Sequence, residues 1–81
     1  MGMDIRDLFA ANLRRLRHAR YMSQEDLAYE SGVGRSYLSR IEKGGYYASL
    51  RIIERLAKTL EVEPAELLAI PRPRPKPSRR R

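Results

Sequence analysis

The chain has 81 residues, no cysteine, and 17 basic against 10 acidic residues, a formal net charge of +7. A chain of this length holds one small domain, which excludes a large enclosed catalytic cleft; without disulfides or thiolate ligands, its stability has to come from packed helices. The charge excess is terminal: from Pro71 onward Arg72, Arg74, Lys76, Arg79, Arg80 and Arg81 add six basic residues and no acid, leaving eleven basic against ten acidic in residues 1–71. The total charge therefore does not by itself point to a nucleic-acid partner for the folded part.

Ile5, Leu8, Phe9, Leu13 and Leu16 recur at steps of three and four, which predicts an amphipathic first helix over residues 4–20 with Arg6, Arg14, Arg15 and His18 off its apolar face. Asp4 and Asp7 form a capping-box-like pair, flanked by Met3 and Leu8 in staple positions. The same N-terminal segment lacks the uninterrupted apolar run of a signal peptide. Nowhere do about eighteen apolar residues follow one another, so a soluble cytoplasmic protein is expected.

Ser23 and Asp26, bracketed by Met22 and Leu27, repeat the capping pattern and open a second helix over about residues 23–31. Gly32, suited to the left-handed conformation past a helix end, stops it, and Val33 returns to the core. Gly34 is a second-rank cap for a third helix over about residues 34–43, ended by Gly44 and Gly45. On this helix Leu38 and Ile41 point inward, so Ser36, Ser39, Arg40 and Lys43 point out, with Arg35 on the flank. Ser49 caps a fourth helix whose inner face carries Leu50, Ile53, Leu56, Ala57 and Leu60. Pro64 opens a short fifth one, with Glu66 placed to cap it. Leu67, Leu68 and Ile70 exceed what one short helix contributes to a core, and part of that surface reads as an interface. The segment from residue 71 to 81, PRPRPKPSRRR, cannot form a helix or a central strand and reads as an extended, disordered basic tail.

Ser23-Gln24-Glu25, Leu27-Ala28, Gly32-Val33, Leu38-Ser39-Arg40-Ile41-Glu42 and Gly44, with Arg17 upstream and LAKTLEV downstream, resemble the helix-turn-helix of the phage-repressor and Cro (XRE) family. The resemblance covers about residues 4–70 and implies an all-α, compact five-helix, lambda-repressor-like DNA-binding domain at residues 1–70. It implies a sequence-specific transcriptional regulator of double-stranded DNA that works as a dimer. A glycine turn between two short helices projects the second outward, and the major groove is wide enough to admit it. By resemblance Arg35, Ser36 and Arg40 match base-reading positions, and Gln24 at the start of the second helix matches a phosphate clamp. Ser39 and Lys43 on the outer face are expected at phosphates as well. Tyr37 has two readings, a ring packed on the second helix or a hydroxyl at the DNA backbone. Arg17 and Glu42 match the family's structural ion pair. The sequence departs from the family at Gly34, where a serine or threonine is common, and at Ala48, where proline is common.

One short helix reads too few base pairs to find a site in a genome, so a homodimer on a near-palindromic operator is expected, with Tyr46, Tyr47, Leu68 and Ile70 as its interface. Two rival readings use the same fold, a DNA-binding antitoxin with a toxin partner and a module that binds only proteins. For catalysis the pattern offers nothing: the single histidine is His18 on an outer face, and metal-ligand clusters, phosphate loops and nucleophile elbows are missing, so no enzyme, metal or cofactor is expected. Of the tail, one reading is a solubilising extension and the other an arm along a DNA minor groove.

Overall fold

Asp4 starts the first helix, α1 (Ile5–Ala19), by accepting a 2.8 Å hydrogen bond from the backbone N–H of Arg6. The computed structural model describes residues 4–71, so Met3 and the tail beyond Pro71 lie outside the described residues. The Asp4 carboxylate also receives the Arg6 guanidinium at 2.6 Å, and these two bonds hold its pKa down to about 2. At the other end Tyr21 takes a left-handed backbone (φ 56°); its N–H reaches the His18 carbonyl while that of Met22 reaches Arg17. This is the paired closure that usually employs glycine.

Three more α-helices follow: α2 (Gln24–Ser31), α3 (Arg35–Glu42) and α4 (Leu50–Leu60). The capping box on α2 forms as its residues predict, with Ser23 Oγ accepting from Asp26 N–H at 3.0 Å and Asp26 Oδ2 accepting from Ser23 N–H at 2.9 Å. Gly32 (φ 75°) ends α2, and Gly34 caps α3 without a side-chain hydrogen bond. Helices α1, α2 and α3 lie over the expected spans 4–20, 23–31 and 34–43, and α4 begins directly after Ser49, whose hydroxyl accepts from Ile52 N–H. Phe9, Leu13 and Leu16 of α1, Leu27 of α2, Leu38 and Ile41 of α3, and Leu56 and Leu60 of α4 close one shared core with Val33 and Leu67.

The expected fifth helix is instead a single 3-10 turn, Pro64–Leu68, so the described fold is four α-helices and that turn. The reason is local. The segment is too short for a run of α-type bonds, Glu66 does not cap it through its side chain, and Glu66 N–H is already bonded to the Glu63 carbonyl at 2.9 Å. The buried side chain of Asn12 on α1 then takes one carbonyl of the turn and the one just past it, donating through Nδ2 to Leu67 at 3.0 Å and to Ala69 at 2.9 Å. Ile5 and Leu50, expected on inner faces, are 51% and 82% exposed. Each occupies the first turn of its helix.

Asn12 therefore positions the turn that carries Leu67 inward and Leu68 outward. Asn12→Ala removes both N–H donors and leaves the buried Leu67 carbonyl unpaired, a loss of about 2 kcal/mol. In a domain of this size thermal unfolding followed by circular dichroism should show Tm falling by roughly 10 °C or more.

Candidate nucleic-acid interface

Helix α3 is only eight residues long, so its two faces are easily accounted for. Leu38 and Ile41 are fully buried, and Glu42 is buried beside them. Arg35, Ser36, Arg40 and Lys43 are exposed, and Ser39 and Tyr37 are half-buried at the edges of that face. The one acid on the helix is thus turned inward, leaving two arginines and a lysine outside. That distribution, rather than the net charge of the chain, makes the outer face basic.

Glu42 can be turned inward because a bidentate pair neutralises it there. Arg17 Nε donates to Oε2 at 2.8 Å and Nη2 to Oε1 at 2.9 Å, the two parallel bonds that match guanidinium to carboxylate. Its remaining nitrogen, Nη1, donates to the Met22 carbonyl at 2.8 Å, so Arg17 joins the α1–α2 junction to the end of α3. Arg14 adds a bond from Nη1 to the backbone carbonyl of Glu42. The ion pair expected at Arg17 and Glu42 is thus present as a buried contact.

Gln24 belongs to the same network. A carboxylate only accepts hydrogen bonds, so the Gln24 amide nitrogen faces it, donating through Nε2 to Glu42 Oε1 at 3.0 Å. The residue expected at a phosphate is therefore half-buried and oriented by Glu42. This link between residues 24 and 42 had no signal in the sequence, because each position has its own reading there and only folding brings them together.

The two arginines expected to read bases are held differently. Arg35 Nη1 lies 3.5 Å from Glu25 Oε2 on α2, and both side chains are more than half exposed; such a pair is weak and exchangeable. Arg40 lies over the Tyr46 ring at 5.3 Å from its centroid. Tyr46 in turn meets Tyr37 edge-on, with centroids 5.5 Å apart and planes at 84°. The Tyr37 ring is thus packed against Tyr46 of the α3–α4 loop and the edge of the core.

Tyr46 and Tyr47 sit in that loop, and Tyr46, Tyr47 and Leu68 line one apolar groove of about 290 Å³ with Ile5, Phe9 and Leu50. Arg6 lies over the Tyr47 ring at 4.9 Å from its centroid, at the groove's margin. Ile70 is 75% exposed and does not line the groove. Among the described residues no helix is long and apolar enough to cross a membrane.

A short two-helix unit with a buried lock and a basic outer helix defines a DNA-binding helix-turn-helix, and the comparisons with known proteins agree. A family model described as a helix-turn-helix domain matches residues 8–70, and the chain belongs to that family. More particularly, it is a DNA-binding transcriptional regulator of the phage-repressor and Cro (XRE) type. It is 44% identical over 69 residues to the control protein C.BamHI of Bacillus amyloliquefaciens, covering 84% of this chain and 85% of that one. The crystal structure of the restriction-modification controller protein C.AhdI from Aeromonas hydrophila superposes with a TM-score of 0.73 at 45% identity, over 76% of this chain and 94% of that one. The hypothetical transcription factor NHTF from Neisseria superposes with a TM-score of 0.80 at 37% identity, over 84% and 78% of the two chains.

Glu42 anchors three segments at once, so removing it should loosen the whole motif. Glu42→Ala strands the Arg17 guanidinium in a buried site, and breaking such a pair costs about 3–5 kcal/mol. Chemical denaturation should show that loss, and an unchanged unfolding midpoint would remove the structural role of the pair.

Proposed function

We propose that this regulator reads the major groove of a near-palindromic operator in double-stranded DNA as a two-fold homodimer, and that its operators govern restriction-modification genes. The observation that carries the reading is the outer face of α3, where Arg35, Ser36 and Arg40 are exposed while the helix's only acid is buried against Arg17. Arginine presents paired N–H donors to the O6 and N7 acceptors of guanine, and each good bidentate contact discriminates by about 1–3 kcal/mol. Gln24, Tyr37, Ser39 and Lys43 ring that face and suit phosphate oxygens, which set register rather than sequence. The restriction-modification assignment rests on the likeness to C.BamHI and C.AhdI.

Dimerisation follows from how little a single short helix can read, since doubling the half-sites multiplies specificity over a genome's competing sites. The surface available for it is the groove under Tyr47 and Leu68, continuous with the exposed first turns at Ile5 and Leu50. An apolar groove on so small a domain fits a second copy of the same surface, with Tyr46 at its inner edge and Ile70 extending it. The two recognition helices then stand about 34 Å apart, facing half-sites separated by about ten base pairs.

Arg35→Ala and Arg40→Ala should each weaken binding to an operator selected from a random DNA pool by about 1–3 kcal/mol. Lys58→Ala, at an exposed position of α4, should leave it unchanged, and undiminished binding by Arg40→Ala would overturn the placement of α3 in the groove. Leu68→Asp places a charge in the groove and should give a monomer in sedimentation at micromolar protein. A footprint on a single unrepeated half-site, with a monomeric parent, would overturn the dimer.

A further inference from the structure

The aromatic pair beside Arg40, Tyr37 and Tyr46, packs against the edge of the core, and the backbone fixes where Tyr46 lies. Gly44 and Gly45 both adopt left-handed backbone (φ 91° and 75°), which turns the chain back along α3 immediately after the helix ends. Helix α1 holds this reversal from behind. Arg6 Nη1 donates to the Gly45 carbonyl at 3.3 Å, and Gly44 lies so close to α1 that a Cβ there would come within 2.5 Å of Asp7 Oδ1. The returning chain sets Tyr46 against two residues one helical turn apart, Tyr37 and Arg40.

The way Arg40 is held matters for what it can still do. A guanidinium lying over an aromatic ring is attracted through its face, while its five N–H donors radiate in its own plane. The Arg40 Cζ lies over the Tyr46 ring, and the Arg40 side chain makes no hydrogen bond among the described residues, so the contact restrains it while the donors a guanine edge needs stay unused. Arg35 contrasts with it, because the Glu25 contact at 3.5 Å uses Nη1 itself and has to be released or shared before Arg35 can reach a base.

We infer that Tyr46 is a positioning residue for DNA specificity: it holds Arg40 ordered over its ring, braced by Tyr37, so that Arg40 enters the groove with its side-chain freedom already restricted. The inference rests on the proposed reading of α3 as the groove helix and adds to it a residue outside that helix. Tyr46 also lines the apolar groove.

The test is the base-preference profile of the full chain on the selected operator and its single-base-pair variants, compared for the parent and for the Arg40→Ala, Tyr46→Leu, Tyr46→Phe and Tyr46→Leu/Arg40→Ala variants. A ratio of affinities between two sites for one preparation cancels the folded fraction, so a stability loss in Tyr46→Leu does not affect it. Arg40→Ala should flatten the preference at one position in each half-site. Tyr46→Leu should flatten that same position by roughly two- to tenfold, the size expected from losing a cation–π contact and its ordering of one long side chain. Tyr46→Phe, which keeps the ring, should retain the parental preference, and Tyr46→Leu should change nothing further once Arg40 is absent. If Arg40→Ala flattens a position while Tyr46→Leu leaves it intact, or if Tyr46→Leu acts equally with and without Arg40, the positioning role is overturned and the groove reading stands. If Arg40→Ala leaves every position unchanged, the base-reading role of Arg40 falls and the positioning role with it.

Discussion

The recognition helix is presented outward because its last acid is drawn inward. Arg17 and Glu42 meet through two short bonds with almost no solvent access, and the same carboxylate also accepts from Gln24. Burying one such charge alone would be prohibitive, and even the pair has to offset the desolvation of both ions with good geometry and full hydrogen bonding. Here each of the three guanidinium nitrogens of Arg17 has a partner, Nη1 on the Met22 carbonyl. The consequence for function is indirect but firm: α1, the start of α2 and the end of α3 are tied at one point, so the orientation of the two helices of the motif is set by that network together with the core.

The longest helix works as a frame. Its apolar residues Phe9, Leu13 and Leu16 enter the core, while its polar residues take hold of three different segments. Arg6 and Asp7 meet the glycine reversal after α3, Asn12 holds the 3-10 turn, and Arg14 and Arg17 hold the end of α3. A small domain has few layers in which to bury contacts, and one helix serving several partners limits how many independent anchors are required. The same arrangement leaves the first turns of α1 and α4 uncovered, where Ile5 and Leu50 lie. The apolar groove is in that sense a by-product of where the frame ends.

The electrostatic picture separates two kinds of arginine. Arg17 and Arg6 use their donors on protein carboxylates and carbonyls. Arg35 and Arg40 remain on the surface, one beside an exposed glutamate and one over an aromatic ring. Because the folded part has nearly balanced charge, attraction toward a polyanion depends on this sorting of the cations more than on their number.

Much of the fold could be read from the chain because the deciding forces are local. Periodicity of three and four placed the helices, serine and aspartate caps placed their starts, and Gly32 marked the turn of the motif, since each of these acts within a few residues. The outward face of α3 was legible for the same reason: once Leu38 and Ile41 must be buried, Ser36, Arg40 and Lys43 have nowhere else to point. What the tertiary structure decided are contacts between positions distant in the chain. Asn12 seizing the Leu67 and Ala69 carbonyls accompanies a 3-10 turn where an α-helix was expected, Gln24 is drawn to Glu42, and Tyr46 is brought under Arg40 by a double glycine reversal pinned from α1. None of these follows from propensity or pattern, because the energy of such a contact exists only after the core has set the helices beside one another.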